Sequence, residues 1–451
     1  MTKQKRILFA VPALYGHLHP SLAIAKHLIA KGHVVGFCCG SGAREILARN
    51  GVQEFFPRDV YQKAFDIVGL VSGIVKNWYV AAKELNTEVM IKSFQELIRA
   101  FEAFKPDAVY IDTTDFLAVA VAERFKIPYA HGSATAILYF EKDIPPIGTG
   151  WDVNRVWLNR LRLISYLALV APFILKAYLN QKRALKTIDP GWKTTNYSGV
   201  SPYLFMLFST DKLEYPRKTF IPSIFYVGPS ILEPDERQLP DFPWEKLDPH
   251  RPLIYIATGT IFPDIYEKFY RYAIEALDEN RFPLPVQVVM AIGRDRKIED
   301  LGVIPSNFIV VNYAPQVKLI QRAHAVVTHG GVNSVNETLS YGKPMLVAYL
   351  GRDLIEMAQR IAFSGAGIRL NAKRATPRKI RKALIELLRQ PRYTRAAEGI
   401  QHSFNRCKGA QTAAALIERL AETGKPILRR QGAPITLEDI EDLPNYLADN
   451  G

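Results

Sequence analysis

Residues 325–337 read AVVTHGGVNSVNE. The apolar run Ala325 to Thr328 predicts a buried strand, and the polar segment after Gly331 predicts a helix. Gly330 and Gly331 allow a tight turn and the close approach of another backbone or a ligand. A strand that turns directly into a helix aims backbone N–H groups at an anion. The stretch therefore predicts an α/β fold with an anion site at this junction.

The side chains around this junction suit a nucleotide. His329, Asn333 and Ser334 offer donors beside the positive end of the helix dipole, which favours a diphosphate. Glu337 lies one helical turn beyond Ser334, where a carboxylate can accept hydrogen bonds from sugar hydroxyls. Tyr313 offers a flat face for a base.

A purely structural interpretation competes with this one. Ser334-x-x-Glu337 is also a capping box, which satisfies the end of a helix without a ligand. Capping, however, requires neither a histidine and paired glycines upstream nor Asp353 after a second apolar strand, Pro344 to Tyr349. The combination favours a binding site.

The whole block resembles the donor-binding signature of the family 1 glycosyltransferases, the group of UDP-glycosyltransferases and macrolide glycosyltransferases. Its elements are aromatic-x-Pro-Gln at 313–316, His-x-Gly-x-Asn-Ser-x-x-Glu at 329–337, Gly-x-Pro at 342–344 and the aspartate at 353. The match is tight in this block and looser in the N-terminal half. One position departs from the pattern, because Leu354 stands where the family has a glutamine that contacts the sugar.

The resemblance implies a donor-binding role for a set of residues. Tyr313 would stack on the nucleobase, Glu337 would bind the ribose and Asp353 would bind hydroxyls of the transferred sugar. The full set is Thr260, Tyr313, Gln316, His329, Gly331, Asn333, Ser334, Glu337 and Asp353. UDP-glucose is the leading candidate donor, although Leu354 would suit a sugar with fewer hydroxyls, such as a deoxysugar on UDP or dTDP.

The N-terminus predicts a second strand, loop and helix unit. Arg6 to Pro12 has the pattern of a first strand, and Leu22 to Ile29 has helical spacing, with Pro20 near its start. The loop between them, residues 13–19, carries His17 and His19 at the carboxyl end of the strand, where open α/β sheets bind their ligands.

A histidine at this place is a candidate general base. It works best when a carboxylate fixes its tautomer and stabilises its cation. Pro106 to Ile111 predicts a strand that ends at Asp112. The family carries its base in a Gly-His dipeptide after the first strand, and the resemblance therefore implies His17 as the base and Asp112 as its partner. His19 and Asp115 stay open as alternatives.

Length and punctuation predict two domains. A chain of 451 residues exceeds the size at which one core keeps growing. Strand and helix patterns alternate in both halves, and the segment between them is rich in proline. We predict an acceptor-binding domain at 1–228, a linker at 229–252, a nucleotide-sugar-binding domain at 253–423 and a tail at 424–451. The resemblance implies the GT-B architecture, two facing Rossmann-like, doubly wound parallel-sheet domains with a cleft between them.

The expected chemistry is an inverting, single displacement. It requires no enzyme nucleophile and no cofactor beyond the nucleotide sugar as co-substrate. No Asp-x-Asp pair occurs in the chain, and its histidines and cysteines lack metal-ligand spacing, so we expect no metal. Only three cysteines are present, Cys38, Cys39 and Cys407, which fits a cytoplasmic protein.

Charge and apolar patterning suggest a further partner. The net charge is +14, and residues 373–395 hold a dense run of Lys and Arg. Because no aromatic platform or nucleic-acid module accompanies the run, an anionic membrane surface is the better partner. The apolar segment Leu163 to Leu175, flanked by basic residues, is too short to span a bilayer and is interrupted by Pro172. A helix pair lining an acceptor pocket, an interfacial segment and buried core compete as explanations, and we favour a pocket wall with some membrane contact.

These features predict a glycosyltransferase that moves a hexose, with glucose as first candidate, to a hydroxyl of an apolar small molecule such as a carotenoid, terpenoid, sterol or polyketide. Two alternatives are a transferase acting on a membrane lipid and a non-catalytic nucleotide-sugar-binding partner protein. The presence of both His17 and Asp112 argues against the non-catalytic alternative.

Overall fold

The structure is a computed structural model. It describes residues 3–69, 79–81, 83–133, 144–145, 149–192, 199–217, 221–232, 241–259, 263–293, 296–351, 353–438, 441 and 443–448. The side chains of residues 68, 69, 156, 263–265, 353 and 444 are outside the described part.

The first half of the chain forms a seven-stranded sheet in which every neighbouring pair is parallel. Its spatial order is β3-β2-β1-β4-β5-β6-β7. Strands β1, β4 and β5 are buried or nearly so along their length, as expected for a sheet covered by helices on both faces. The strands are β1 (Arg6–Ala10), β2 (Val34–Cys39), β3 (Glu54–Pro57), β4 (Ala108–Asp112), β5 (Tyr129–Ser133), β6 (Leu204–Leu207) and β7 (Ile224–Tyr226).

The second half forms a six-stranded parallel sheet with the order β10-β9-β8-β11-β12-β13. This is the strand order of a dinucleotide-binding Rossmann sheet. Both predicted Rossmann-like domains are therefore confirmed. The strands are β8 (Leu253–Ala257), β9 (Gln287–Ala291), β10 (Phe308–Val311), β11 (Ala325–Thr328), β12 (Met345–Tyr349) and β13 (Gly367–Asn371).

Helices connect the strands and cover both sheets. Those of the first half are α1 (Tyr15–Ala30), α2 (Arg44–Arg49), α3 (Asp59–Gly69), α4 (Thr87–Phe104), α5 (Phe116–Phe125) and α6 (Val156–Ile188). Those of the second half are α7 (Pro263–Leu277), α8 (Gln316–Arg322), α9 (Val332–Ser340), α10 (Asp353–Ser364), α11 (Pro377–Arg389), α12 (Pro391–Cys407), α13 (Gly409–Thr423) and α14 (Leu443–Tyr446).

The end of the chain returns to the first domain. Leu416, Ile417 and Leu420 of α13 are fully buried in one core with Ile7, Phe9 and other residues of the first sheet. Ile427, Leu437 and Leu447 of the tail join the same core. The predicted second domain, 253–423, therefore loses its last helix to the first domain, because the apolar face of α13 matches that sheet.

The two chain crossings between the domains touch each other. A Cβ added at Gly409 would overlap the carbonyl of Pro229, and one added at Gly228 would lie 2.5 Å from Cys407 Cβ. Gly409 has a φ of +30°, which a side chain rarely adopts. The outgoing and the returning segments of the chain thus pass each other in close contact at residues 228–229 and 407–409.

A buried ion cluster joins the domains elsewhere. Arg360 on α10 donates to Glu214 of the first half at 2.7 Å and to Glu356 at 2.9 Å, and all three side chains are at most 5% exposed. Glu356 also accepts from the Gly150 N–H at 2.6 Å. Burial raises the pKa of Glu356, and the Arg360 charge opposes this rise.

Helix α6 differs from its prediction. It runs for 33 residues through Pro172 without a break, so the predicted helix pair and the predicted interruption at Pro172 are both wrong. Pro172 and Ala168 are exposed, which lets solvent reach the carbonyl that the proline leaves without an N–H partner. Within the described residues, 157–188 is one helix that is long and apolar enough to cross a membrane.

Candidate active site

The two sheets each change direction at one pair of neighbouring strands. In the first sheet the chain moves outward from β1 on one side and from β4 on the other, and in the second sheet from β8 and β11. Open α/β sheets bind ligands at the carboxyl ends of such strands. His17 and Asp112 stand at this place in the first sheet, and Gly259 and His329 stand there in the second.

Helix α1 begins earlier than the sequence predicts. It starts at Tyr15, with Leu14 as N-cap, so His17 and His19 lie in its first turns and not in a loop. Pro20 lies inside the helix. The predicted start of α1 is too late because Pro20 was expected near the helix start, whereas it follows a complete first turn.

The structure brings His17 and Asp112 together. His17 Nδ1 lies 2.8 Å from Asp112 Oδ2, and Asp112 is 1% exposed. Asp112 Oδ1 accepts from the Thr114 N–H at 2.9 Å and from its hydroxyl at 2.5 Å. Burial alone would raise the pKa of Asp112, but the His17 interaction and the Thr114 hydrogen bonds lower it below its ordinary value. Asp112 is therefore an ionised acceptor at neutral pH.

This contact decides which nitrogen of His17 can act as a base. Because the ionised Asp112 accepts from Nδ1, the neutral imidazole holds its proton there and carries its lone pair on Nε2. The His17 side chain is 15% exposed, and the ring of Phe65 packs against it edge-on at 6.0 Å between centroids. The ring is thus held in one orientation.

The alternative residues are engaged elsewhere. Asp115 forms a fully buried ion pair with Arg58 and caps α5 by accepting from the Ala118 N–H at 3.2 Å. His19 lies against the ring of Tyr15, 5.1 Å between centroids. The structure therefore pairs His17 with Asp112 and places Asp115 in a structural contact.

Helix α9 begins at Val332, with Gly331 as N-cap and no side chain that caps it. Ser334 is consequently the third residue of the helix, and the capping-box interpretation is wrong. The first N–H groups of a helix have no partner within it. Residues 332–334 therefore present an uncapped helix start at the carboxyl end of β11.

Two glycines make room for the His329 ring. A Cβ added at Gly259 would lie 2.8 Å from His329 Cε1, and one added at Gly331 would lie 2.5 Å from Nε2. Gly330 has a φ of +95°, which only glycine adopts readily. The glycines thus fix the imidazole between the loop after β8 and the start of α9.

A hydrogen-bond network positions Glu337. Gln316 Nε2 donates to Glu337 Oε2 at 2.6 Å and lies 3.4 Å from the Ser334 hydroxyl. The hydroxyl of Tyr255 donates to Gln316 Oε1 at 3.4 Å. Glu337 is only 3% exposed. Gln316 therefore holds the carboxylate predicted to bind ribose.

The other predicted donor residues are placed less fully. Tyr313, between β10 and α8, is 40% exposed. Asp353 is the first residue of α10, but its side chain is outside the described part, and Thr260 lies outside the described residues. Leu354 is 7% exposed.

One hydrogen bond joins the two halves of the site. Asn333 Nδ2 donates to the Gly16 carbonyl at 3.1 Å. Within a helix this carbonyl would accept from residue 20, but Pro20 has no N–H. Asn336 makes a second contact, donating to the Phe208 carbonyl at 2.9 Å. The start of α9 therefore faces the residue before His17.

The domains lie close together here. A cavity of about 10 Å³, roughly the space of one water, is lined by His19, Pro20, Asn333, Glu337 and neighbours. A larger, open cleft of about 440 Å³ is lined by other residues, including Asp152, Gln359 and Arg369, and by none of the predicted site residues. Among described residues, no group of three His, Cys, Asp or Glu side chains is arranged to hold a metal.

Three contributors to the site were not predicted from the sequence. Thr114, two residues after Asp112, could have been found, since an aspartate often bonds to the backbone two residues on. Pro20 stands four residues after Gly16 and has no N–H. Once the helix start is known, this spacing shows that the Gly16 carbonyl lacks its usual partner within the helix. Tyr255 gives no local signal, because its contact depends on tertiary packing.

Comparison with known proteins supports the predicted family independently of the site geometry. The family described as erythromycin biosynthesis protein CIII-like, C-terminal domain, matches residues 281–418. The chain is 27% identical over 426 residues to 4'-demethylrebeccamycin synthase of Lentzea aerocolonigenes, covering 92% of this chain and 99% of that one. It is 25% identical over 444 residues to UDP-glycosyltransferase 2 of Phaeomoniella chlamydospora, covering 93% and 96%.

Solved structures confirm the predicted GT-B fold. The crystal structure of the kitacinnamycin glycosyltransferase superposes with a TM-score of 0.70 over 93% of this chain and 99% of that one, at 20% sequence identity. The similarity at this identity concerns the fold. Together with the matched sequences, it covers both domains.

Proposed function

Since the chain belongs to the family 1 glycosyltransferases, of the macrolide and UDP-glycosyltransferase type, we propose that it transfers a hexose to a hydroxyl of an apolar small molecule with inversion. The first candidate donor is UDP-glucose. His17 acts as general base, Asp112 orients it, and the start of α9 binds the diphosphate.

One observation carries this proposal. Gly16, the residue before His17, accepts a hydrogen bond from Asn333 at the start of α9. Gly16 and Asn333 are 317 residues apart in sequence, so their contact makes the candidate base and the candidate diphosphate site neighbours across the domain boundary. An acceptor hydroxyl at His17 would lie beside a donor bound at α9.

The acceptor side of the reaction follows from the His17 tautomer. Nε2 takes the proton of the acceptor hydroxyl while the oxygen of that hydroxyl forms a bond to the anomeric carbon. The resulting imidazolium is stabilised by Asp112, 2.8 Å from Nδ1. General-base catalysis of this kind contributes about 10²- to 10⁴-fold to a rate.

The donor side follows from the helix start. The bond between the anomeric carbon and the diphosphate oxygen breaks, and its electrons leave with the nucleotide. In this proposal the N–H groups of residues 332–334 and the imidazole of His329 bind that charge, which is supported by the uncapped start of α9 and the glycines around His329. Fixed donors at a developing charge contribute about 3 kcal/mol each, so the proposal requires no metal. Attack from the opposite face inverts the anomeric carbon.

The identity of the sugar turns on Leu354. Its side chain is mostly buried and cannot form the hydrogen bond of the glutamine that the family has there. A glucosyl donor would therefore depend more on Asp353. A deoxysugar on UDP or dTDP is the second candidate, because it would lose less at this position.

The test is a donor and acceptor screen with purified protein. UDP-glucose, other UDP-sugars and dTDP-deoxysugars are each incubated with hydroxylated carotenoids, terpenoids, sterols and polyketides, and nucleotide release and glycosylated product are measured. We expect one donor to give product, and His17→Ala to lower its rate by at least about 10²-fold. The anomeric configuration of the product, read by NMR, should be inverted.

His27→Ala is the matched control, since it removes an exposed histidine from the same helix. We expect its rate to stay within about threefold of the unaltered protein. Tight nucleotide-sugar binding without product from any acceptor would contradict catalysis and favour a non-catalytic partner protein.

A further inference from the structure

Helix α6 carries an apolar stripe on its outward face. Trp157, Leu161, Ile164, Leu175 and Leu179 are between 38% and 70% exposed. Ala168 and Ala171 continue the spacing of three and four residues between them and are also exposed. Side chains at this spacing lie on one face of a helix. The stripe is roughly 33 Å long, at 1.5 Å per residue.

The opposite face fixes α6 to the first domain. Tyr166, Val170 and Ala184 are buried, and Ala184 belongs to the core that α4 and α5 share. Asn180, also buried, donates to the Leu85 carbonyl at 3.3 Å. To cross a bilayer, the helix would have to leave this packing. Its length and composition therefore serve a contact along the stripe and not a membrane span.

The charges beside the stripe are all of one sign. Residues 156–188 contain no Asp or Glu and six basic residues, all exposed: Arg160, Arg162, Lys176, Lys182, Arg183 and Lys186. A second copy of the chain would bring like charges together along this face. An anionic lipid surface would complement them. Long basic side chains can also keep their heads at the phosphates while their stems cover apolar surface.

From the stripe, its anchoring and its charge we infer that α6 docks the first domain lengthwise on an anionic phospholipid surface. The apolar stripe enters the boundary between headgroups and acyl chains, and the basic residues bind lipid phosphates. This moves the membrane contact away from the basic run of α11. There Arg381 donates to the carbonyls of Ala276 and Glu275, at 3.1 Å each, at the end of α7.

The inference is tested by vesicle co-sedimentation of the full chain, which requires no catalysis. We expect binding to phosphatidylcholine vesicles that contain phosphatidylglycerol, weaker binding to phosphatidylcholine alone, and a loss with rising salt. Binding should shift the fluorescence of the unaltered protein to shorter wavelength, and Trp157→Phe should lose most of this shift because Trp157 lies at one end of the stripe.

Two variants separate the two contributions. The triple variant Leu161→Gln, Ile164→Gln and Leu175→Gln replaces exposed positions only and should lower the partition coefficient at least about tenfold. Lys182→Glu with Lys186→Glu should lower it by about fivefold or more for each charge and remove most of the salt dependence. Matched controls are Val303→Gln, at a 91% exposed apolar residue, and Arg378→Glu in the α11 run, which should bind as the unaltered protein does.

The inference would be overturned if the protein bound neither kind of vesicle, or if the triple variant bound as strongly as the unaltered protein. Sedimentation equilibrium without lipid gives a further check. A dimer that forms through the stripe, and that the triple variant loses, would assign the face to a second copy of the chain. The vesicle assay requires no glycosyl transfer, so a failure of docking and a failure of the proposed function are distinguishable.

Discussion

Each sheet has one point at which the chain changes direction, between β1 and β4 in the first domain and between β8 and β11 in the second. The two points share this topology, but different chemical groups form the candidate site at each. In the first domain, the site consists of side chains, a histidine and a buried carboxylate fixed by Thr114. In the second, it consists mainly of backbone, a helix start with glycines around one imidazole. The proposed function assigns proton transfer to the first point, which requires a group of tunable pKa. It assigns diphosphate binding to the second point, which N–H groups can accomplish without titrating.

The difference teaches where each site is vulnerable. At the first point a change of charge should destroy function and leave the backbone intact. At the second point a single added carbon should do the damage. The comparison is supported if loss of charge lowers activity at the first point and added volume lowers affinity at the second. The opposite results would contradict the proposed assignment of roles.

The largest effect is expected for Asp112→Asn. The amide keeps the size of the carboxylate but loses the charge that stabilises the His17 imidazolium, so the maximal transfer rate should fall about 10²-fold or more. The donor affinity should be nearly unchanged. Initial rates at saturating donor and acceptor, with donor binding by calorimetry, measure both.

Asp115→Asn is its control, three residues along the same segment. It leaves Arg58 buried without its charged partner and should lower the free energy of unfolding by about 3 kcal/mol. The folded fraction should keep the rate of the unaltered protein. If Asp115→Asn lowered that rate as strongly as Asp112→Asn, the assignment of the orienting carboxylate to Asp112 would have to be abandoned.

A smaller effect is expected for Gly331→Ala at the second point. The new Cβ would lie 2.5 Å from His329 Nε2 and would displace the ring from the helix start. The dissociation constant for UDP should rise about tenfold, equivalent to about 1.4 kcal/mol, with a weaker effect on the rate at saturation. Titration calorimetry with UDP measures it.

Gly399→Ala tests whether any glycine substitution would do the same. This glycine lies in α12, and nothing lies within 4 Å of an added Cβ. Its substitution should leave UDP affinity unchanged and raise the free energy of unfolding by about 0.5–1 kcal/mol. Equal losses of affinity in both variants would refute the role assigned to Gly331.

The smallest effect on function is expected for a residue that governs the acid stability of the first domain. Burial lowers the pKa of His131 on β5 to about 4, although Asp112 and a backbone bond to Gly199 oppose the shift. In the unfolded chain the residue titrates near its ordinary 6.5. Between these values only the unfolded state binds the proton. The contribution of His131 to the free energy of unfolding should therefore fall as the pH is lowered, by up to about 1.4 kcal/mol per pH unit, and level off below pH 4.

His131→Gln should flatten this dependence, measured as urea midpoints between pH 7 and pH 4.5, and His402→Gln, at an exposed position, should not. The lowered pKa of Asp112 does not interfere, since the stability it gives is lost only below its ordinary 3.8. An unchanged slope in His131→Gln would show that another group binds the proton.

Much of this arrangement could be predicted from local sequence. Strand β11 and the start of α9 follow from an apolar run, two glycines and a polar helix, because these interactions are between near neighbours. The positions of His17 and Asp112 follow from strand ends in the same way. The contact between these two side chains depends on the parallel pairing of β1 with β4. Sequence patterns suggest this pairing but do not give the distance between the side chains.

Features that depend on distant contacts were not predictable. Pro172 was expected to interrupt a helix, but the packed inner face of α6 holds it continuous. Ser334 was open to a capping role until the helix start was known to be Val332. The position of α13 was misjudged, because an apolar helix face indicates burial without indicating which of two sheets will bury it.

The return of α13 has a consequence for exchanging parts between such proteins. The first sheet shares one core with α13 and with described residues of the tail, and the second sheet is an insert between two junctions that touch at Pro229 and Gly409. A chimera cut once, at the linker, would combine a foreign α13 with this first sheet and mismatch the core. A chimera cut at both junctions would transplant the second sheet with its helices as one unit, and because the two cuts lie close together the host would bridge almost no distance to accept it.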